Sequence, residues 1–338
     1  MTADFRSDNT HGASPEILAA ISAAAERTAT SYGDDELTHR LRARVRDVFE
    51  TDCEIVPVTT GTAGNALTVS VMTPPWGGVF CHDEAHIHRD ELGAPEFYSG
   101  GAKLFPIRTS GGKLAPEMLA ETIDHIAAEG RTAKPSCVSL TNATEAGTVY
   151  TPDETRVLCE IAHARGCRVH MDGARFANAV VGSGASPADL TWRAGVDALV
   201  FGATKNGAMA AELIVVFDRE LMRELPLRWH RGGHRLSKMR FLSAQWNAYL
   251  DGDLWLRNAR HANAMAKRLA AGFPEVLQVV QANSVFARIA PDVAARAQAA
   301  GFRFYDWPLY GPDAYRFVCG FTTTEAEVDA LLAALQGA

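Results

Sequence analysis

The sequence is short of the features that mark several protein classes. None of its six cysteines belongs to a C-x-x-C pair; Cys53, Cys81, Cys137, Cys159, Cys167 and Cys319 lie mostly inside apolar segments. That placement argues against zinc ligands and a disulfide framework, and suits reduced thiols in a core. Clustered positive charge is scarce as well. Lys and Arg number 33 against 40 Asp and Glu, for a formal net charge of -7, and the only basic cluster is RWHRGGHRLSKMR at 228–240. Phosphate neutralisation needs gathered cations, so no nucleic-acid partner is expected. No apolar run suits a bilayer: the most apolar long window, 197–217, is interrupted by Asp197, Lys205, Asn206 and Glu212. The opening MTADFRSDNTHGASPE lacks the cationic lead and apolar core of a signal peptide. The expected location is therefore the cytoplasm, without membrane partners.

What is present is an alternation. A chain of 338 residues, 47% hydrophobic, can bury one large core and a smaller one. PEILAAISAAAERTA (15–29) and HRLRARVRDVFE (39–50) read as helices, the first with proline at its start. EIVPVTTG, VFCH, KLFPI, PSCVSLTN, CRVHMDGA, ALVFGATK and AELIVVFD read as buried strands, with helical patterns such as PEMLAETIDHIAAEG and PDETRVLCEIAHARG between several of them. Strands alternating with helices imply an α/β fold with a mainly parallel sheet covered on both faces. After Arg240 the pattern changes to one long helical stretch, 241–273, then VLQVV, SVFARIA, FRFYDW and YRFVCGF as short strands and EAEVDALLAALQ as a closing helix. The expected division is a large domain over 1–250 and a small C-terminal α/β domain over 251–338.

Four stretches could carry chemistry. LVFGATKNGAM (199–209) sets Lys205 among small and apolar residues. Such a lysine either packs its stem along apolar surface with its head in water, or has a depressed pKa and serves as a nucleophile toward a carbonyl. TTGTAGNA (59–66) joins a strand to a helix with Gly61, Gly64 and the hydroxyls of Thr60 and Thr62. It reads either as an ordinary glycine turn or as a phosphate site at a helix N-terminus, without the lysine of a P-loop. VHMDGARF (169–176) puts Asp172 at a strand end, where it either caps a helix or faces a pyridine nitrogen, as in pyridoxal phosphate (PLP) enzymes. Arg175, three residues on, is either a surface ion-pair member or a fork for a substrate carboxylate. HDEAHIHRDE (82–91) is by count a metal site, but has no helical ligand register. Its other readings are a solvated loop, or one imidazole, His86, stacked on an aromatic cofactor and moving protons. No metal is expected.

Taken together, DFRSDN (4–9), SYGDDELT (31–38), TGTAGN (60–65), Ala85-His86, HMDGARF (170–176) and GATKNG (202–207) resemble threonine aldolases of fold-type I, the aspartate-aminotransferase-like PLP enzymes. FETDCE, GAPEF, LTNATEAG, LTWRAG and SKMRFLSA make the chain similar to the low-specificity L-threonine aldolase branch, including its phenylserine-cleaving members. The likeness runs from about residue 4 to about residue 325.

The resemblance implies a PLP-dependent retro-aldol cleavage of L-threonine, L-allo-threonine and related β-hydroxy-α-amino acids to glycine and an aldehyde. It implies that Lys205 bonds the cofactor aldehyde, Asp172 pairs with the ring nitrogen and His86 stacks on the ring. Gly61, Thr62 and Thr204 would hold the phosphate, with Asn65 supporting the loop. Ser7, Arg175 and Arg316 would take the substrate carboxylate. Tyr32 would line the site from a neighbouring subunit of a homodimer or homotetramer, with Lys238 or Arg231 reaching the partner's phosphate. One departure is visible: many members carry a second histidine after the strand that here ends in LTNATEAG, where this chain has Thr144. His86 acting through a water is the expected substitute. The alternatives are β-elimination, transamination or racemisation on the same fold, and a PLP-binding scaffold without turnover.

Overall fold

The computed structural model describes residues 2–336. One sheet has seven strands: β1 (Glu54–Val58), β2 (Gly77–His82), β3 (Lys103–Ile107), β4 (Lys134–Thr141), β5 (Arg168–Gly173), β6 (Ala198–Gly202) and β7 (Glu212–Val216). Their order is β1-β7-β6-β5-β4-β2-β3. Only β7 runs against its neighbours, pairing antiparallel with both β1 and β6, while the other pairs are parallel. The strands at the centre are short runs of Val, Leu, Ile and Phe because helices cover both faces; every residue of β6 and β7 is buried. All six cysteines are free and buried.

The connecting helices begin where local chemistry starts them. Gly61–Met72 follows β1 and is capped by the Thr60 hydroxyl, which accepts from the Ala63 N–H. Pro152–Ala164 follows β4 with a full capping box between Thr151 and Glu154. Helix Phe176–Ser183 follows β5. β6 is shorter than the apolar run suggests. It stops at Gly202, where a Cβ would lie 2.6 Å from the Ala174 carbonyl, and a 3-10 turn over Thr204–Asn206 comes next.

The long helical stretch is broken in two. Arg240–Leu250 and Leu254–Ala271 are separated by Asp251–Asp253, where Gly252 and Asp253 take left-handed backbone angles. A second sheet of β8 (Ser284–Arg288), β9 (Tyr305–Asp306) and β10 (Ala314–Val318) is antiparallel in the order β8-β10-β9. VLQVV does not form a strand; it meets β8 in a single bridge, Val276 to Ala287, with the Leu277 N–H donating to the Phe286 carbonyl, and leaves Val279 70% exposed. FRFYDW shrinks to a two-residue strand, its Phe302 and Phe304 turning into the core of this unit.

That smaller core also captures the N-terminus. Phe5 is buried with Leu269, Val285 and Phe317, and its carbonyl accepts from the Val318 N–H at 2.8 Å. Burying such a ring contributes roughly 2 kcal/mol. Anchored there, the arm carries Ser7, Asp8 and Asn9 toward the C-terminal edge of the large sheet.

Candidate functional site

Parallel strands all bring their C-terminal ends to the same edge of a sheet, and here the ends of β1, β2, β4, β5 and β6 converge on a cleft. It has two lobes, of about 270 and 500 Å³, that share Asn9, His86, Glu145, Arg175 and Lys205. Thr60, Gly61, Thr62, Asp172 and Thr204 line the first. Ser7, Tyr305, Trp307 and Arg316 line the second.

At the floor of the first lobe Asp172 is buried, and its Oδ1 accepts from the Ala174 N–H at 2.9 Å. Burial pushes this carboxyl up, but the His86 charge, that N–H and the nearby His170 and Lys205 outweigh it and hold the group below the usual range. Its Oδ2 accepts from Asn65 Nδ2 at 2.8 Å, and the same nitrogen donates to Glu91 Oε1 at 2.9 Å. Glu91 Oε1 also accepts from His86 Nδ1 at 2.8 Å. An unbroken chain of hydrogen bonds thus joins the His86 ring to Asp172. Because Asn65 donates to carboxylates, its Oδ1 must accept from His170 Nε2, 3.2 Å away, which leaves His170 Nδ1 to accept from the Ser139 hydroxyl at 2.9 Å. His170 is therefore the neutral Nε2–H tautomer, in keeping with a pKa lowered to about 4 by burial.

Lys205 stands where the two lobes meet. Its Nζ has no hydrogen-bond or ion-pair partner among the described residues; burial and the Arg175 charge depress its pKa, against the pull of Asp8, Asp172 and Glu212. Glu212, at the start of β7, is raised by burial and its Oε1 faces the Thr204 N–H at 3.4 Å. Arg175 is clamped by Asp8, with Nε and Nη2 donating at 2.7 and 2.8 Å; Asn283 donates to Asp8 as well. Arg316 is different. Among the described residues it meets no carboxylate: Nη2 reaches the Arg6 carbonyl at 3.2 Å, Nε is buried without a partner, and the guanidinium lies 4.3 Å over the Trp307 ring.

The structure brings together Lys205, Asp172, His86, Gly61, Thr62, Thr204, Arg175, Arg316 and Ser7. Asn65 is there too, but its amide serves Asp172, Glu91 and His170 rather than the turn at Gly61. Tyr32, with half its surface exposed beside the Arg235 guanidinium, lines neither lobe of the single chain. Lys238 and Arg231 are exposed and also lie outside both lobes. Of the histidine loop, His82 is used internally: Nε2 donates to the Thr109 carbonyl and Nδ1 accepts from the Glu84 N–H.

Sequence reasoning missed Asp8, Glu91, Glu145 and Glu212 as members of the site. Asp8 sits in the DFRSDN stretch and Glu145 in LTNATEAG, so the matching motifs could have pointed to both. Glu91 closes the HDEAHIHRDE stretch, where it counted only as one acid of a metal-like cluster, and Glu212 carried no local signal beyond an acid near an apolar run.

The donor set fits PLP. A half-buried amine without a partner and with a depressed pKa suits an aldehyde, and a buried carboxylate held ionised suits a protonated ring nitrogen. The N–H groups of Gly61 and Thr62, at the start of a helix whose Thr60 cap serves only Ala63, suit a phosphate.

The model of the beta-eliminating lyase family matches residues 4–292. A low specificity L-threonine aldolase from Pseudomonas sp. (strain NCIMB 10558) is 41% identical over 97% of this chain and 96% of its own length. Another from Pseudomonas aeruginosa is 42% identical over 95% and 94%. Among solved structures, a Leishmania major threonine aldolase superposes with a TM-score of 0.92 at 23% identity, covering 99% of this chain and 98% of that one. A serine palmitoyltransferase from Sphingomonas wittichii superposes with a TM-score of 0.74 at 14% identity, covering 99% and 86%. The fold is that of fold-type I PLP enzymes.

Proposed function

The chain belongs to the beta-eliminating lyase family, among the low-specificity L-threonine aldolases, and we propose that it cleaves L-threonine and related β-hydroxy-α-amino acids to glycine and an aldehyde with PLP. The observation that carries this reading is the half-buried, unpartnered amine of Lys205, its pKa depressed, in a cleft that also holds the ionised Asp172.

Bound PLP supplies an aldehyde that bonds an amine and a protonated ring that takes up an electron pair. Lys205 would hold that aldehyde, and Asp172 would keep the proton on the ring nitrogen. The Gly61 and Thr62 N–H groups and the Thr204 side of the lobe receive the phosphate. His86, fixed by Glu91, would flank the ring. Arg316, whose guanidinium still lacks an anion, takes the substrate carboxylate beside Ser7, and Arg175 braced by Asp8 adds positive charge next to it. Fixing the carboxylate and the amine sets the torsion about Cα, and with it which bond breaks. Gripping that half alone leaves the β-substituent loosely read, so both β-diastereomers and phenylserine are accepted.

We assign Tyr32 to the neighbouring subunit's cleft in a homodimer or a tetramer of dimers. No helix among the described residues is long and apolar enough to cross a membrane, and the free buried thiols suit the reducing cytoplasm.

The test is to incubate the PLP-loaded protein with L-threonine, L-allo-threonine and phenylserine and measure glycine, aldehyde and ammonia. Equal glycine and aldehyde is the expected result, with borohydride fixing the cofactor on Lys205 and Lys205→Ala abolishing both. Ammonia and a 2-oxo acid without aldehyde would overturn the aldolase reading in favour of elimination.

A further inference from the structure

Cleaving the Cα–Cβ bond of a β-hydroxy amino acid requires a group to take the hydroxyl proton, and the position where relatives of this chain were expected to hold a second histidine is Thr144. Its side chain is not available. Thr144 Oγ1 bonds the Thr148 hydroxyl at 2.8 Å, Thr148 in turn donates to the Gly111 carbonyl at 2.6 Å, and Thr144 lines neither lobe. The next residue is. Glu145 borders both lobes beside His86, Arg175 and Lys205; its Oε1 accepts the His86 backbone N–H at 2.8 Å, and its Oε2 is buried with no partner at all.

We propose that Glu145 is the catalytic residue that accepts the proton of the substrate's β-hydroxyl. This rests on the aldolase reading of the same cleft. The O–H bond breaks and its proton passes to a Glu145 carboxylate oxygen. The O–H electron pair forms the aldehyde C=O as the Cα–Cβ bond breaks, and that bond's own pair stays with the glycine half. The proton leaves to solvent before the next turnover, and the same carboxyl returns one to the aldehyde oxygen in the reverse direction.

Three features support Glu145. First, an enclosed carboxyl oxygen without a donor is a standing vacancy for a proton, and the broad two-fold terminal torsion of a glutamate lets either oxygen turn toward the cleft. Second, burial, helped by the Asp172 charge and opposed by the N–H groups of its own residue and of His86, raises Glu145 to about 7, where a general base is most effective. Arg175, Tyr150 and Tyr310 also face it. Third, the His86 backbone N–H holds Glu145 Oε1 at 2.8 Å and so fixes the carboxyl beside the ring in the cleft, while the His86 Nδ1–H is already engaged by Glu91.

The test is Glu145→Gln, which keeps an oxygen for the His86 N–H but cannot take a proton, with Glu145→Asp beside it. Threonine cleavage by Glu145→Gln should fall about 10²- to 10⁴-fold, while the Kd for PLP and the rate of glycine α-proton exchange with solvent deuterium stay within about threefold; Glu145→Asp should recover part of the loss. Infrared spectra of the apoprotein should show neutral-carboxyl absorption that titrates near pH 7, of which Glu145→Gln removes the Glu145 share and leaves that of Glu212. Cleavage by Glu145→Gln at the wild-type rate overturns the proposal. So does parallel loss of cleavage, cofactor affinity and α-exchange, which would make Glu145 a prop for His86. If wild-type protein releases no aldehyde, the aldolase reading itself has failed.

Discussion

Asn65 donates one amide nitrogen to Asp172 at 2.8 Å and to Glu91 at 2.9 Å, so a single neutral side chain separates two buried carboxylates. Without it, two like charges would share one enclosed space, and one of them would have to take up a proton. The His86 charge and the Ala174 N–H keep Asp172 ionised, and the side chain lying next to it is this amide and not another acid.

Asn65→Ala should strip a hydrogen bond from Asp172, Glu91 and His170 together. Leaving buried groups unsatisfied costs about 1–3 kcal/mol each, so urea unfolding of the apoprotein should show a loss of at least about 2 kcal/mol. A change below a few tenths of a kcal/mol would mean that water replaces the amide without penalty.

Acid sensitivity should trace in part to His170. Its pKa is lowered to about 4 from 6.5, so in the folded state it stays neutral while the unfolded chain takes up a proton. The stabilisation is complete above pH 6.5 and is lost as pH falls toward 4, a swing of about 3 kcal/mol. Apoprotein carrying His170→Gln should therefore lose less stability than wild type over that interval. Parallel stability curves for the two proteins would remove His170 as the cause.

Glu91 should set the protonation of His86. Its carboxylate is the main cause of the raised His86 pKa, so Glu91→Gln should move the His86 ring titration, followed by NMR, to lower pH and toward 6.5. An unmoved midpoint would show that the 2.8 Å contact does not carry charge coupling.

Arg316 and Arg175 should respond differently to substitution. Arg316 has no anionic partner, whereas Arg175 is already paired with Asp8. Arg316→Lys removes the fork and the stacking on Trp307; KM for threonine should rise roughly 10- to 100-fold with PLP affinity unchanged. Arg175→Lys should instead release Asp8 and destabilise the N-terminal arm, seen as faster amide exchange over Phe5 to Asn9. A KM unchanged in Arg316→Lys would place the carboxylate elsewhere.

Much of the fold was legible because its signals are local. The apolar runs that became β1 to β7, the Thr60 cap and the Thr151 capping box all act within a few residues. VLQVV misled for the opposite reason: its side chains suit a strand, but a strand needs pairing along its length, and this segment meets β8 at the Val276–Ala287 bridge alone. The single helix expected over 241–273 failed at Asp251–Asp253, where two left-handed residues turn the chain.

By itself the sequence determined the order of chemical parts, since a lysine, an aspartate and a glycine turn placed directly after strands must reach the same edge of a parallel sheet. Only the tertiary structure decided which charges neutralise which. Asp8 finds Arg175, Glu91 finds both His86 and Asn65, and Arg316 finds no acid, across separations of up to 167 residues for the first of these pairs. Pairing and burial are properties of position in space, and no short stretch of chain records where its side chain will be enclosed.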